Sequence, residues 1–394
     1  MKFSNLRKLS INAWPQLLGR LPTHVSSLQI LEIDGCTSLV VSISSFPTLC
    51  ELSIRGCAEV MDDRSSPANE GLASLSQHGL SLVGHRSITV RYCHQLHSLE
   101  TEEAELQPDK ISRVESLVIG GCDRLNRLLN FLHELTFLTM MEIDHCVGLV
   151  SFAGNNLPPN LKKLHISVCT NLKYLVDEIE DNKSMSSNLC LLKDLKIEWC
   201  GSLMSLSLKG HKNICNQLQR LQITHCSKLS CLFSSIMLPI RLKHLEIDGC
   251  PKFEYIAEEF EETACLESIL IESSGIKSLP RILDKLFHLQ EIRLRKCSNL
   301  VSFEESELLS TNLRAFSVDG CENVGALPKC MVSITSLRQL CVFDCSTNIS
   351  FPSESFPPNL TSLAISNAPK IYRSLVEWGL NRLTSLQRLV IGKF

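Results

Sequence analysis

Aliphatic residues return along the chain in one fixed phrase, Lxx[LI]x[IVL]xxC, repeated roughly every 24 residues. The last two aliphatics stand two positions apart, the period of a strand, so they share one face while the residues between and beyond them share the other. Clear copies are LQILEIDGC (Leu28 to Cys36), LCELSIRGC (Leu49 to Cys57), LKKLHISVC (Leu161 to Cys169), LKDLKIEWC (Leu192 to Cys200), LKHLEIDGC (Leu242 to Cys250) and LQEIRLRKC (Leu289 to Cys297). The same phrase ends at Cys93, Cys122, Cys146, Cys226, Cys321 and Cys345. Degenerate copies at Leu6 to Trp14, Leu266 to Ser274, Leu360 to Ala368 and Leu386 to Phe394 keep the aliphatics and replace the Cys. Sixteen frames result, and each predicts one short strand.

A single coil cannot bury its own apolar face. Stacked coils can: each strand pairs with the next in a parallel sheet, the aliphatics merge into a continuous core, and stability becomes a sum of repeat and neighbour contributions. This is the leucine-rich-repeat signature, with Cys where many members carry Asn. At the Cys the chain turns inward, so the thiols are expected to be buried, each reaching a nearby backbone carbonyl. The fold class is therefore an α/β solenoid, a leucine-rich-repeat horseshoe with a parallel β-sheet on its concave face. Between strands, segments such as LVSFAGNNLPPNLKKL and ISFPSESFPPNLTSL are rich in Pro and Ser. Pro opposes regular helix, so turns, short 3-10 pieces and extended segments are expected on the convex side.

The domain expectation is a single array over residues 1–394, about sixteen repeats, with longer loops near 58–84, 98–111 and 177–191. No G-x-x-x-x-G-K-[ST] phosphate loop occurs, so no nucleotide-binding domain lies in the chain. The first frame begins at once and the last frame closes the sequence without polar capping repeats, which suggests a fragment, a truncated gene product or a partner-dependent domain.

Composition narrows the function classes. A net charge of -3 offers no basic field for nucleic acid or an anionic membrane. Nineteen cysteines would suggest disulfides in a small secreted domain. Here twelve occupy one repeat position, the others show no CxxC spacing, and the total is odd, so a reducing compartment is expected. The N-terminus lacks a secretory leader, and no stretch approaches the ~20 apolar residues of a membrane span. A cytoplasmic location follows. The N-x-[ST] triplets at Asn182, Asn348 and Asn359 then read as chance matches.

Catalytic and metal chemistry find little support. His94, His97, His145 and His225 stand beside or near frame cysteines, but strand neighbours face opposite ways and no multi-ligand spacing is present. No GxSxG elbow appears, and the acidic run Glu258, Glu259, Glu261 and Glu262 reads as a solvated loop. No enzyme activity and no cofactor are expected.

What remains is the outward face of the sheet, the broad binding surface of a solenoid. Its candidate protein contacts are Met140, Glu142, Asp144, Trp199, His244, Glu246, Asp248, Leu270, Glu272, Arg293, Arg295 and Phe343. Glu246, Asp248 and Glu272 form an acidic strip followed by Arg293, Arg295 and Lys296, an arrangement that would register a partner of complementary charge. Part of this face is expected to pair with itself. Met140, Trp199, Leu270 and Phe343 are the apolar anchors, weighed against the ordinary exposure of single apolar residues.

The stretches CVGLVSFAGNNLPPNLKKLHISVC (Cys146 to Cys169), CSNLVSFEESELLSTNLRAFSVDGC (Cys297 to Cys321), FPSESFPPNLTSLAI (Phe351 to Ile365) and IESSGIKSLPRILDKLFHLQEIRLRKC (Ile271 to Cys297) carry a family resemblance. They resemble the C-terminal repeat region of plant nucleotide-binding leucine-rich-repeat disease-resistance proteins of the coiled-coil class. The resemblance implies an intracellular immune-receptor module that recognises a pathogen effector or host protein and holds the receptor inactive. It also implies, as a partner, an upstream nucleotide-binding domain in a longer parent chain. Two alternatives stay open: the substrate-receptor arm of an F-box ubiquitin ligase, whose repeats usually carry regular convex helices, and a truncated fragment without function.

Overall fold

A computed structural model describes residues 5–21, 25–42, 46, 48–56, 59–61, 86–92, 113–125, 135–151, 158–176, 191–207, 217–232, 238–256, 265–279, 283–301, 303, 311–346, 348–351, 356–378 and 380–392. Cys57, Cys93, His94, His97, Asn182, the acidic run at 258–262 and almost all of the three long loops lie outside them. The chain divides into two compact units, Met1–Gly201 and Ser202–Phe394.

In the first unit eight five-residue strands pair in parallel, each with the next: β1 (Lys8–Asn12), β2 (Ile30–Asp34), β3 (Glu51–Arg55), β4 (Ser87–Arg91), β5 (Ser116–Gly120), β6 (Met140–Asp144), β7 (Lys163–Ser167) and β8 (Asp194–Glu198). The second unit repeats the arrangement with β9 (Arg220–Thr224), β10 (His244–Asp248), β11 (Ser268–Glu272), β12 (Glu291–Arg295), β13 (Ala315–Asp319), β14 (Gln339–Phe343), β15 (Ser362–Ser366) and β16 (Arg388–Gly392). Each of these sixteen strands falls on a predicted frame. The parallel ladder of in-register frames is the leucine-rich-repeat solenoid that the phrase implies.

The two-residue period fixes the register. Leu245, Ile269, Ile292, Phe316, Leu340 and Leu363 stand opposite one another on successive strands, as do Ile247, Ile271, Leu294, Val318, Val342 and Ile365. All are buried. A slip of one residue would carry the whole set to the solvent face, so the aliphatic frame both drives the stacking and locks it.

The turn after each strand has a common geometry. Among the described residues, the position just before the Cys or its replacement is left-handed in every coil from Ala13 to Asn367, with φ between 45° and 63°. That conformation lets its N–H donate to the last strand carbonyl of the next coil, as Val168 does to Glu198 (2.9 Å) and Gly249 to Glu272 (3.1 Å). Glycine fills it at Gly35, Gly56, Gly121, Gly249 and Gly320, while bulkier residues accept the cost elsewhere, Val168 included.

The thiols behave as the sequence suggested. Cys36, Cys122, Cys146, Cys169, Cys200, Cys226, Cys250, Cys297, Cys321 and Cys345 are buried thiols that form no disulfide. Each donates to the carbonyl two residues back, as Cys250 does to Asp248 (3.3 Å) and Cys297 to Arg295 (3.2 Å). Cys297 also reaches Ile271 on the preceding coil (3.7 Å). Ser274 makes the same local bond to Glu272 at 2.8 Å, which explains why that frame works without its Cys.

Asparagines tie the coils together a second time. In NL pairs that open a frame, the amide donates one coil back: Asn160 to Thr136 (2.6 Å), Asn312 to Phe287 (2.7 Å) and Asn359 to Thr335 (2.8 Å). Two residues past the Cys, Asn171 reaches Val147 (2.8 Å) and Asn323 reaches Ser298 (2.7 Å). The LPPNL phrase is thus a structural fastener: Pro159 sits in a turn that Leu161 closes onto the Pro158 carbonyl (3.1 Å), and its Asn satisfies a carbonyl that no strand partner reaches.

The back of the first unit includes a small parallel set, Gly19–Arg20, Leu39–Ser42 and Glu59–Met61. The second unit carries 3-10 turns at Leu283–Lys285, Lys329–Ser333 and Leu380–Arg382. It also holds a ten-residue helix, α1 (Pro369–Trp378), that the Pro-rich pattern did not suggest. Pro369 occupies its first position, where proline has no hydrogen bond to lose, and Ile371 and Leu375, four apart, are buried. Among the described residues, no helix is long and apolar enough to cross a membrane.

Candidate protein-binding face

The outward positions of each unit form rows perpendicular to the strands. In the first unit the strongest feature is a charge network around β6. Arg91, at the end of β4, extends across Gly120 of β5 to Glu142 Oε1 (2.5 Å) and Asp144 Oδ2 (3.6 Å). Register places Arg91, Gly120 and Asp144 in one row. A Cβ on Gly120 would stand 3.3 Å from Arg91 Cγ. The glycine therefore leaves the room that lets an arginine span two strands.

Asp144 also accepts from the Ser167 hydroxyl and pairs with His145 Nδ1 (2.8 Å). Burial pushes its carboxyl up, but the Ser167 and His145 bonds and the Arg91 charge outweigh that and hold it below the usual carboxylate range. Glu198 shows the same balance: burial raises it, while Lys196 (2.8 Å) and His165 (2.9 Å) bring it down overall. Met140 stands exposed at the start of β6, in the row of Ser116 and Lys163, 38% accessible. Trp199 occupies the left-handed turn just past β8, with φ 57° and 55% of its surface accessible, so it belongs to the strand-exit rim rather than to a strand position.

In the second unit, register sets Asp248, Glu272, Arg295, Asp319 and Phe343 side by side on β10 to β14, with Glu246, Leu270 and Arg293 in the neighbouring row. The acidic strip and the basic patch are adjacent, as the sequence suggested, and they engage each other. Arg295 lies between Glu272 and Asp319, 3.8 Å from each. Lys296 reaches Glu272 at 3.4 Å, and Arg293 turns onto Glu291 of its own strand at 2.5 Å. Glu246 accepts from Gln222 (3.2 Å), and the ring of His244 meets the Ser268 hydroxyl (2.9 Å).

Asp248 is different. Among the described residues its carboxylate has neither hydrogen bond nor ion pair, and half-buried Leu270 and Phe343 share its face. The cations proposed from sequence as partner contacts are thus committed within the unit, and the unmatched charge is an anion. Arg91 and Gly120 escaped the sequence reading. A glycine at the final strand position, where neighbouring frames carry Arg, Asp, Ser or Glu, was the available signal. Among the described residues, no group of three or more His, Cys, Asp and Glu is placed to hold a metal ion.

No family model matches the chain. Disease resistance protein RPP4 of Arabidopsis thaliana is 26% identical over 248 residues, 63% of this chain and 20% of that protein. Protein SUPPRESSOR OF npr1-1, CONSTITUTIVE 1 of the same plant is 30% identical over 157 residues, 40% of this chain and 10% of that protein. Disease resistance protein RPS4B is 22% identical over 255 residues, 55% and 20% respectively. The chain spans a quarter or less of the length of these relatives. Among solved structures, a leucine-rich-repeat protein of Leptospira interrogans matches 99% of this chain and 84% of its own at 15% identity, with a TM-score of 0.46. The leucine-rich-repeat domain of the type III effector XopL covers 56% and 71% at 18% identity, with a TM-score of 0.40. These superpositions are loose, and the fold assignment stands on the chain's own ladder and register. The chain is a leucine-rich-repeat solenoid whose sequence relatives include plant disease-resistance proteins.

Proposed function

We propose that the chain is the protein-interaction module of a plant intracellular immune receptor, acting in defence against pathogens. Its outward sheet face recognises a pathogen effector or host protein and, within a longer parent chain, holds a nucleotide-binding domain inactive. The observation that carries the reading is the composition of the face in the second unit. An unmatched carboxylate, Asp248, shares it with Leu270 and Phe343, within a surround of charges that are already paired. Paired charges at a rim exclude wrong partners while contributing little affinity, and an apolar anchor that becomes desolvated on binding, here Phe343 beside Leu270, is the kind of residue around which a hot spot forms. Glu246, Glu272, Arg293, Arg295 and His244 then serve as positioning groups. In the first unit Met140 and Trp199, flanking the Glu142 and Asp144 network, form a second contact patch.

The test begins with the transcript upstream of Met1. A phosphate loop in frame would supply a nucleotide-binding domain to co-express with this chain. Asp248→Lys with Leu270→Asp is expected to abolish their association and leave the fold intact. An F-box in that position, or association unchanged in the double variant, would refute the proposal.

A further inference from the structure

At the strand starts of the second unit, off the sheet face, lies a cleft of about 460 Å3 lined by Phe287, His288, Gln290, Asn312, Arg314, Ser336 and Arg338. The repeat builds it. Arg314 and Ala315 both donate backbone N–H groups to the Gln290 carbonyl (2.8 and 2.9 Å), and Arg338 and Gln339 do the same to Arg314. Gln290, Arg314 and Arg338 therefore occupy one position on three consecutive coils, about 4.8 Å apart. The walls are fastened from beneath: Asn312 donates to the Phe287 carbonyl (2.7 Å) and Ser336 to that of Leu313 (2.8 Å).

The two arginines are in different states. Arg338 is anchored through Nη1 to the Thr335 carbonyl (2.8 Å), with longer bonds to Leu337 and Asn359. Arg314 has no side-chain hydrogen bond or ion pair among the described residues. Among the described residues, no carboxylate lines the cleft. The acid that feels His288 is Glu267, and Lys243 holds it at 2.7 Å. Two guanidinium groups on adjacent coils, with a histidine beside them and no carboxylate of the described residues at the cleft, give it a positive potential that favours an anion. Phe287 stands at the same cleft with 59% of its surface accessible.

We propose that this cleft binds a phosphate monoester carried on a flat apolar group. A carboxylate is satisfied by one guanidinium fork, whereas a phosphoryl group offers three oxygens and close to two charges near neutral pH, enough to engage both arginines together. The Phe287 ring then covers the apolar carrier. The same chemistry belongs to a phosphorylated aromatic side chain of a protein and to a small phosphate ester. The cleft lies apart from the sheet-face residues, so this inference does not depend on the function proposed for them.

Calorimetric titration of the full chain with phenyl phosphate, inorganic phosphate and benzoate tests it. Phenyl phosphate is expected to bind at least tenfold more tightly than benzoate, and Arg314→Gln to weaken it at least tenfold. Arg314→Lys, which keeps the charge and loses the fork, should fall between, and unchanged unfolding midpoints would exclude a folding defect in either variant. Phe287→Ala should weaken phenyl phosphate while sparing inorganic phosphate. A phosphotyrosine peptide binding more tightly than phenyl phosphate would assign the ligand to a protein; equal or weaker binding would assign it to a small ester. Equal affinity for benzoate, unchanged binding in Arg314→Gln, or no saturable binding would overturn the proposal.

Discussion

Replacing Gly249 with valine places a branched side chain on a left-handed residue, φ +61°. The new Cβ would stand 3.0 Å from Cδ2 of His225, 3.2 Å from its Cγ and 3.3 Å from its Cα, one coil earlier. Left-handed backbone costs an L-residue about 1–2 kcal/mol, and a branched residue belongs at the upper end of that range. Crowding against the ring and backbone adds to this. The stiffer unfolded chain returns about 0.4–1 kcal/mol, leaving a net loss of about 1–2 kcal/mol. In a unit of this size that lowers the melting temperature by about 2–8 °C. Gly325→Val is the matched control, because a Cβ there meets no atom within 4 Å and the backbone is not left-handed. Thermal and urea unfolding followed by far-ultraviolet circular dichroism would compare the two. Equal midpoints in both variants, or an unchanged Gly249→Val, would refute the strain argument and with it the reading of the turn row.

Ile247→Asp should do more damage, because Ile247 is fully buried between Ile223 and Ile271 and the carboxylate would have no partner. A loss of about 4 kcal/mol or more is expected, and native-like cooperative unfolding of that variant would show the inward and outward faces to be misassigned. Asp144 gives a pH-dependent test. Its folded pKa lies below the unfolded value of about 3.9, so its contribution to stability is present above that value and fades as pH falls through the folded pKa. Ser167→Ala removes one of the donors responsible, so the variant should be less stable than wild type at pH 7 and the gap should close on acidification; a constant gap down to pH 3 would contradict it. Burial pushes the Cys169 and Cys345 thiols up to about 12. Among the described residues, a thiol reagent at pH 8 should accordingly label half-buried Cys50, Cys231, Cys265 and Cys330 before the buried turn thiols, and mass spectrometry showing early labelling at Cys169 would count against their burial.

The strand frames were legible because burial requires a period: every coil must present two aliphatics two residues apart, and that leaves a mark in the sequence at each repeat. The inward turn of the cysteines was legible for the same reason. The left-handed turn row was not, since only five of its residues are glycine, and Val168, Trp199 and Lys296 conceal a conformation that their types disfavour. Helix α1 was missed because the Pro-rich segments between strands set the expectation for every coil back, whereas Pro369 stands at the one helical position that tolerates it. On the candidate face, sequence placed acids and bases in neighbouring rows but not their pairings. Whether Arg295 faces a partner or lies between Glu272 and Asp319 depends on side-chain reach across strands, which a one-dimensional spacing does not encode. The crossing of Arg91 over Gly120 depends on an absent side chain, and absence leaves a weak trace in a single sequence.

The asparagine bonds each look back a single coil, while the cysteine bonds stay within their own turn or reach one coil back, and this has a genetic consequence. Exchange between neighbouring copies of the repeat, adding or removing one whole coil, restores every donor and acceptor at the junction, because the incoming coil presents the same carbonyls as the one it replaces. A gain or loss of a few residues inside a strand frame would break two fasteners and the register together. Length can therefore drift by whole coils or within the backs of coils, while the face between them remains in register and free to change its side chains one at a time.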